Sequence, residues 1–129
     1  MFLINYYKHL LLDDIIMNKI LMVIGGSGFI GSHFIDHMIS KDFKIINVDK
    51  MSYASNLHYC KSSSKMTFYK IDISSYRAIN ELIYKIKPQI IVNFAAESHV
   101  DRSIDDPNIF IKSNINGTTN ILVSILKNR

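Results

Sequence analysis

The chain has 129 residues with a formal net charge of +4 and 48% hydrophobic content, enough for one globular domain with a buried core. Its lysines are scattered rather than blocked, which argues against a nucleic-acid surface, and no apolar run reaches the ~18 residues of a membrane span. Cys60 is the single cysteine, so an internal disulfide is excluded and a reducing, cytoplasmic setting is expected.

Residues 1–16 form an apolar and aromatic extension, with Phe2, Leu3, Ile4, Tyr6, Tyr7 and Leu10–Leu12 interrupted by Lys8 and His9 and followed by Asp13 and Asp14. They lack the continuous apolar stretch and small-residue cleavage site of a signal peptide. Met17 is the expected natural start, and a short amphipathic helix packed on the domain is the alternative. Residues 17–129 are expected to be one domain.

Lys19–Ile24 is a continuous apolar run of strand length, as a buried parallel strand requires. Glycines follow at 25, 26, 28 and 31. Phe29–Ser40 then carries helical spacing, with Ile30, Phe34 and Met38 on one stripe. Lys44–Val48 is a second strand, and Asp49–Lys65 a long polar loop. Met66–Ile71 is a third strand, and Ser75–Lys87 a helix with Ile79, Leu82, Ile83 and Ile86 on one face, stopped by Pro88. Gln89–Phe94 is a fourth strand and Ala95–Asp106 a loop. Pro107 can open a helix at its first turn, and that helix is expected to run to about Lys127. Strand–helix alternation implies a parallel sheet with right-handed crossovers. The expected fold class is therefore α/β, a Rossmann-type parallel sheet in strand order 3-2-1-4 flanked by helices and truncated after the fourth strand and its following helix.

The segment from Gly25 to Gly31 follows a strand and opens a helix, and it fits the G-x-G-x-x-G spacing. Gly25 and Gly26 permit a tight turn, Gly28 lets a pyrophosphate approach the backbone, and Gly31 lets helix and strand pack closely. The helix N-terminus adds free N–H groups and a positive dipole end. Asp49 closes the second strand eighteen residues after Gly31, near the ~20-residue offset at which a carboxylate reaches adenosine ribose hydroxyls. An acid there repels a 2′-phosphate, so NAD is favoured over NADP, with Lys50 softening that preference. Asp72 ends the third strand. It can border the adenine, cap the next helix with Ser74, or do both.

Three stretches, GGSGFIGSH at 25–33, VDKMSYASN at 48–56 and FAAESHVDRS at 94–103, resemble the extended short-chain dehydrogenase/reductase family of NAD-dependent epimerases and dehydratases, helped by Asn114-Ile115-Asn116-Gly117-Thr118. Within it they look most like the dTDP-glucose 4,6-dehydratases. The resemblance covers nearly all of 19–129. It implies that Phe29 and Ile30 sit over the pyrophosphate, and that Asp49, Lys50, Met51 and Ser52 line the adenosine ribose pocket. Asp72 and Ile73 would border the adenine. Phe94, Ala95, Ala96, Glu97 and Ser98 would follow the cofactor toward its nicotinamide, with Ser98 within reach of a sugar. Ser113 stands where the family usually has a threonine that contacts the cofactor, and it keeps the hydroxyl. His99, Asp101 and Arg102 could suggest acid–base work, but loop ordering and an ion pair are the favoured reading. His33 and His37 have metal-ligand spacing without a third ligand, and a solvated helix face is favoured.

The resemblance also implies a reaction. A hydride leaves sugar carbon 4 for the nicotinamide, water leaves across carbons 5 and 6, and the hydride returns to carbon 6, a step of deoxysugar synthesis that feeds lipopolysaccharide. The family performs this with a Tyr-x-x-x-Lys pair. Here Tyr84 is followed at that spacing by Pro88, Tyr76 by Asn80, Tyr69 by Ile73 and Tyr6 by Leu10. No catalytic residue is therefore assigned, and the chain alone is expected to be inactive. A truncated gene product, half of a split enzyme that would meet its sugar nucleotide only with a second chain, a residual NAD-binding module, and a fragment of another sugar-nucleotide epimerase or dehydratase all remain open. An unpaired edge on the fourth strand and apolar Ile111, Ile115 and Leu122 on the last helix point to marginal stability or homo-oligomers.

Overall fold

A computed structural model describes residues 19–41, 43–56 and 63–128. The expectations for residues 1–16, Met17 and Cys60 lie outside the described residues. Four parallel strands, β1 (Ile20–Ile24), β2 (Lys44–Asp49), β3 (Met66–Lys70) and β4 (Ile90–Asn93), form one sheet in the order β3-β2-β1-β4, as the alternation of strands and helices predicts. The register sets Ile24 beside Val48 on one side and Asn93 on the other. The carboxyl ends of β1, β2 and β4 therefore finish level, and the loops that follow them share one edge of the sheet.

Both faces of the sheet are covered because residues alternate sides along a strand. Leu21, Val23 and Ile45 pack with Phe43 and with Ile35 of α1 (Phe29–Ile39). Met22, Ile24, Ile46 and Val48 pack with Ile79, Leu82 and Ile83 of α2 (Tyr76–Ile86), with Ile73 and with Ile121. Each such side chain, taken fully out of water, contributes about 1.5–3 kcal/mol before its ordering entropy is subtracted. β1 is completely enclosed from Leu21 to Val23, which is why it reads as an unbroken apolar run rather than an alternating one. α2 ends where Lys87 turns left-handed at φ 50 and its N–H donates to the Ile83 carbonyl at 2.9 Å, one residue ahead of Pro88.

The chain departs from its sequence expectation after β4. A short helix, α3 (Val100–Asp105), lies within the stretch expected to be loop. It buries no residue, so it carries no apolar stripe for sequence periodicity to detect. The last helix starts at Pro107 as expected, with the Asp106 side chain accepting from the Asn108 N–H. It is not uniform, however. α4 (Pro107–Phe110) runs into a π-helical segment, π1 (Ile111–Gly117), and then into α5 (Thr118–Lys127). Wide i→i+5 turns of this kind are rare and concentrate at functional sites. Within π1, Ser113 and Gly117 are buried, whereas Ile111 and Ile115, with Leu122 and Leu126 of α5, are 48–59% exposed. Among the described residues β4 pairs only with β1, and its Ile90 is exposed.

Candidate functional site

The turn between β1 and α1 explains three of its four glycines by internal packing. Gly25 has φ +76, and a Cβ there would lie 2.7 Å from the Ala95 Cα and the Phe94 carbonyl carbon. At Gly26 a Cβ would strike Ile35 and the Asn47 side chain, and at Gly31 it would overlap the Gly25 carbonyl and sit 2.8 Å from the Gly26 Cα. Gly28 is different. Its φ of −79 and ψ of 173 suit any residue, and a Cβ would meet only the Gly25 carbonyl oxygen, at an ordinary 3.4 Å. Gly28 is also the N-cap of α1, with no side-chain cap. The Ser32 N–H is the first to bond back within the helix, to the Gly28 carbonyl, so the amides of residues 29–31 precede the first intrahelical bond and face outward with the positive end of the helix dipole.

Asp49 ties this turn to the loop after β2. Its Oδ2 accepts from the buried Ser27 N–H at 3.1 Å, and its Oδ1 accepts from the Met51 N–H and the Ser55 hydroxyl, both at 2.8 Å. The carboxylate thus stands against the glycine bend, as the Rossmann reading requires. Met51 takes a left-handed φ of 60, an uncommon conformation for a side chain of its size, and the Asp49 carboxylate bonds the amide that results. Asn56 N–H donates to the Ser27 carbonyl at 2.9 Å, so the loop and the turn share two cross-links.

The far wall comes from the end of β4 and from π1. Asn114 uses both ends of its amide on Glu97: Oδ1 accepts from the Glu97 N–H at 2.8 Å, and Nδ2 donates to the Glu97 carbonyl at 2.9 Å. A side chain here substitutes for a neighbouring strand. The Glu97 carboxylate is buried and receives Lys50 Nζ at 2.7 Å, with Arg102 Nη1 at 3.6 Å from its other oxygen. The Arg102 guanidinium lies 4.2 Å from the centre of the Tyr53 ring, and His99 packs on the same ring at 5.7 Å. The Tyr53 side chain foremost, with Glu97, holds the Arg102 pKa above its ordinary value despite some desolvation. These contacts join the β2 and β4 loops, as the loop-ordering reading of His99 and Arg102 expects, although the ion pair is made to Glu97. Gly117 lets π1 settle on Ile73, whose side chain would lie 2.6 Å from a Cβ there.

Between these walls lies a cleft of about 520 Å³, partly open to solvent, at the carboxyl ends of β1, β2 and β4. Of the residues singled out from sequence, Gly25, Gly28, Asp49, Lys50 and Ser52 line it on the near side. Ile73, Phe94, Ala95, Ala96, Glu97 and Ser113 line the rest. Six do not line it. Phe29 and Ile30 are 70% and 67% exposed on the first turn of α1, Gly31 is buried beneath Gly25, Met51 contributes its amide to Asp49, and Ser98 is exposed. Asp72 neither lines the cleft nor caps α2, whose N-cap is Ser75, without a side-chain cap hydrogen bond. It accepts from the Ser74 N–H at 2.8 Å just before α2. Burial pushes its pKa up, but the Ser74 hydrogen bonds and the charges of Lys50 and Lys112 outweigh that and hold it below 3.8. Ile24, Val48 and Ile71 also line the cleft, as do Ala54 and Ser55. The first three are strand-end residues that read as core. The last two sit in a loop without periodicity, inside the 48–56 stretch that carries the family resemblance but not among the residues singled out from it. His33 bonds its own helix at the Phe29 carbonyl, 2.8 Å away, and no group of three or more His, Cys, Asp or Glu fit to hold a metal occurs among the described residues.

Comparison with known proteins places this geometry. The family model described as GDP-mannose 4,6 dehydratase matches residues 22–129. Curated relatives include the dTDP-glucose 4,6-dehydratase of Xanthomonas campestris, 38% identical over 107 residues (81% of this chain, 30% of the relative). That of Haemophilus influenzae is 41% identical over 107 residues (79% and 31%). The chain spans about 30% of the length of these relatives. Among solved structures, the UDP-glucose 4-epimerase of Thermotoga maritima with UDP-glucose superposes with a TM-score of 0.78 at 28% identity, covering 84% of this chain and 34% of that one. The UDP-glucose 4-epimerase of Brucella ovis in complex with NAD gives 0.77 at 26%, covering 86% and 33%.

Proposed function

The chain belongs to the GDP-mannose 4,6-dehydratase family, and on that premise we propose that its cleft holds NAD and that it is the cofactor-binding part of a dTDP-glucose 4,6-dehydratase. Gly28 carries the NAD reading. Its neighbours Gly25, Gly26 and Gly31 are required by the protein's own packing, whereas a side chain at Gly28 would meet no protein obstacle. A glycine beside the cleft, at the open end of a helix, fits a ligand's pyrophosphate passing against the backbone. The pyrophosphate then lies over the amides at the start of α1, the adenosine ribose turns toward Asp49, and the nicotinamide points to Ala95, Ala96 and Ser113. Bound there, NAD supplies a hydride acceptor and donor.

Lys50 does not offset the preference for NAD over NADP, because its ammonium is engaged by the Glu97 carboxylate at 2.7 Å. The Asp49 carboxylate is left to face a 2′-phosphate unassisted. The dehydratase assignment is supported by curated dTDP-glucose 4,6-dehydratases at 37–42% identity. A UDP-glucose 4-epimerase-like role is the second reading, favoured by the superposition on such enzymes. On either reading the sugar chemistry needs residues beyond these 129, since no tyrosine here has a lysine four positions on. The chain's own part is to bind and orient the cofactor.

Calorimetric titration tests this. NAD is expected to bind, NADP at least about tenfold more weakly, a difference of about 1.4 kcal/mol, and Asp49→Asn should shrink that gap. A folded sample giving no NAD heat would refute the proposal. The exposed apolar residues of π1 and α5 further support self-association, which sedimentation of a strict monomer at micromolar concentration would contradict.

A further inference from the structure

Oδ1 of the Asp49 carboxylate is fully occupied without a ligand. Oδ2 holds the Ser27 amide, and Oδ1 holds both the Met51 amide and the Ser55 hydroxyl. A carboxylate oxygen offers about two acceptor directions, and both of those on Oδ1 are taken. Two of the three donors are backbone amides fixed by the glycine turn and by the left-handed Met51. The third is a hydroxyl that can turn about a single side-chain bond. Ser55 lines the same cleft as Asp49, so the mobile donor sits where a ribose would arrive.

We propose that the Ser55 hydroxyl is an internal stand-in for a ribose hydroxyl, occupying an acceptor site on Asp49 in the free chain and yielding it when an adenosine ribose enters. This rests on the NAD reading above. A carboxylate only 6% exposed is costly to leave short of donors, and Ser55 supplies one until the ligand does. The exchange leaves the loop intact, because backbone bonds hold it independently: Ser55 N–H to the Ser52 carbonyl at 3.0 Å and Asn56 N–H to the Ser27 carbonyl at 2.9 Å. One hydrogen bond is made as another is broken, so the ribose hydroxyl gains less than it would at an unoccupied carboxylate. Ser55 thereby sets how tightly the cofactor is held and eases its release.

The test is calorimetric titration of the 129-residue chain and its Ser55→Ala variant with NAD and with NAD analogues lacking the adenosine 2′- or 3′-hydroxyl. The variant is expected to bind NAD about three- to tenfold more tightly, the scale of one hydrogen bond. That gain should vanish for at least one deoxy analogue. Circular dichroism should show the variant folded, with a free state that melts lower than the parent. Equal or weaker NAD binding by a folded variant overturns the role of Ser55 and leaves the NAD reading standing, as does a gain that is the same for all three ligands. Failure of the parent chain to bind NAD overturns both.

Discussion

Replacing Gly28 by serine should move stability and cofactor affinity in opposite directions. The residue is the N-cap of α1, at φ −79 and ψ 173, without a side-chain cap, and an added Cβ meets nothing closer than 3.4 Å. Serine is a preferred N-cap because its oxygen accepts from amides of the first turn. Replacing glycine at an unstrained position also lowers the entropy of the unfolded chain, by about 0.4–1 kcal/mol. A gain of that size raises the melting temperature of a domain of this length by about 2–4 °C. The same hydroxymethyl group would stand where the pyrophosphate is proposed to pass, and its oxygen would claim one of the amides that phosphate needs. NAD affinity should fall by more than about tenfold, or about 1.4 kcal/mol. Thermal denaturation and calorimetric titration on one Gly28→Ser sample read both signs. Unchanged NAD affinity would show that the diphosphate does not pass Gly28. A drop in melting temperature would show that the space beside it is not free.

Gly25→Ala should be destabilising by about 3 kcal/mol or more, since it combines a positive φ with overlap on the Ala95 backbone; urea denaturation with a midpoint near the parent's would refute this. Asn114→Ala removes both bonds that hold the Glu97 backbone and should cost about 1–3 kcal/mol. Hydrogen exchange should quicken at Glu97 in that variant, and unchanged protection there would show that the clamp is dispensable. Asp72 has its folded pKa held below the unfolded value of 3.8, so its contribution is complete above that value and is lost as pH falls through the folded one. Stability of the parent should therefore decline more steeply below pH ~4 than that of Asp72→Asn, and parallel acid profiles would contradict the assignment.

The sheet order was legible because buried parallel strands and amphipathic helices carry distinct periods, and the glycine turn marks which strand is central. The near wall of the cleft was legible for the same reason: Gly25, Gly28 and Asp49 lie at fixed offsets along one strand–turn–helix–strand unit. The far wall was less so. Lys50 and Glu97 meet across 47 residues, and Asn114 reaches Glu97 across 17, so neither pairing leaves a local pattern. Ser113 is marked only by the family resemblance, because within the polar run Lys112-Ser113-Asn114 nothing distinguishes one serine as facing a cleft. α3 has no buried face and so leaves no periodic signal, and spacing alone does not separate the i→i+5 turns of π1 from an α-helix. Asp72 shows the converse. Its position suited two roles, and its carboxylate instead closes a local turn by accepting from the Ser74 amide, one residue short of the helix N-cap.

The π-helical stretch gives this architecture an unusual route for change. Loss of one residue between Asn114 and Gly117, such as Asn116, would let the segment relax to ordinary α-helix. Everything before it would then swing by about 100° relative to α5. Ser113 would leave the cleft and Asn114 would leave the Glu97 backbone, while Ile121 and Ser124 stayed buried where they are. A single codon deletion could thus remodel the Ser113 wall of the cavity while sparing the hydrophobic interior, an evolutionary shortcut that a regular helix would not offer.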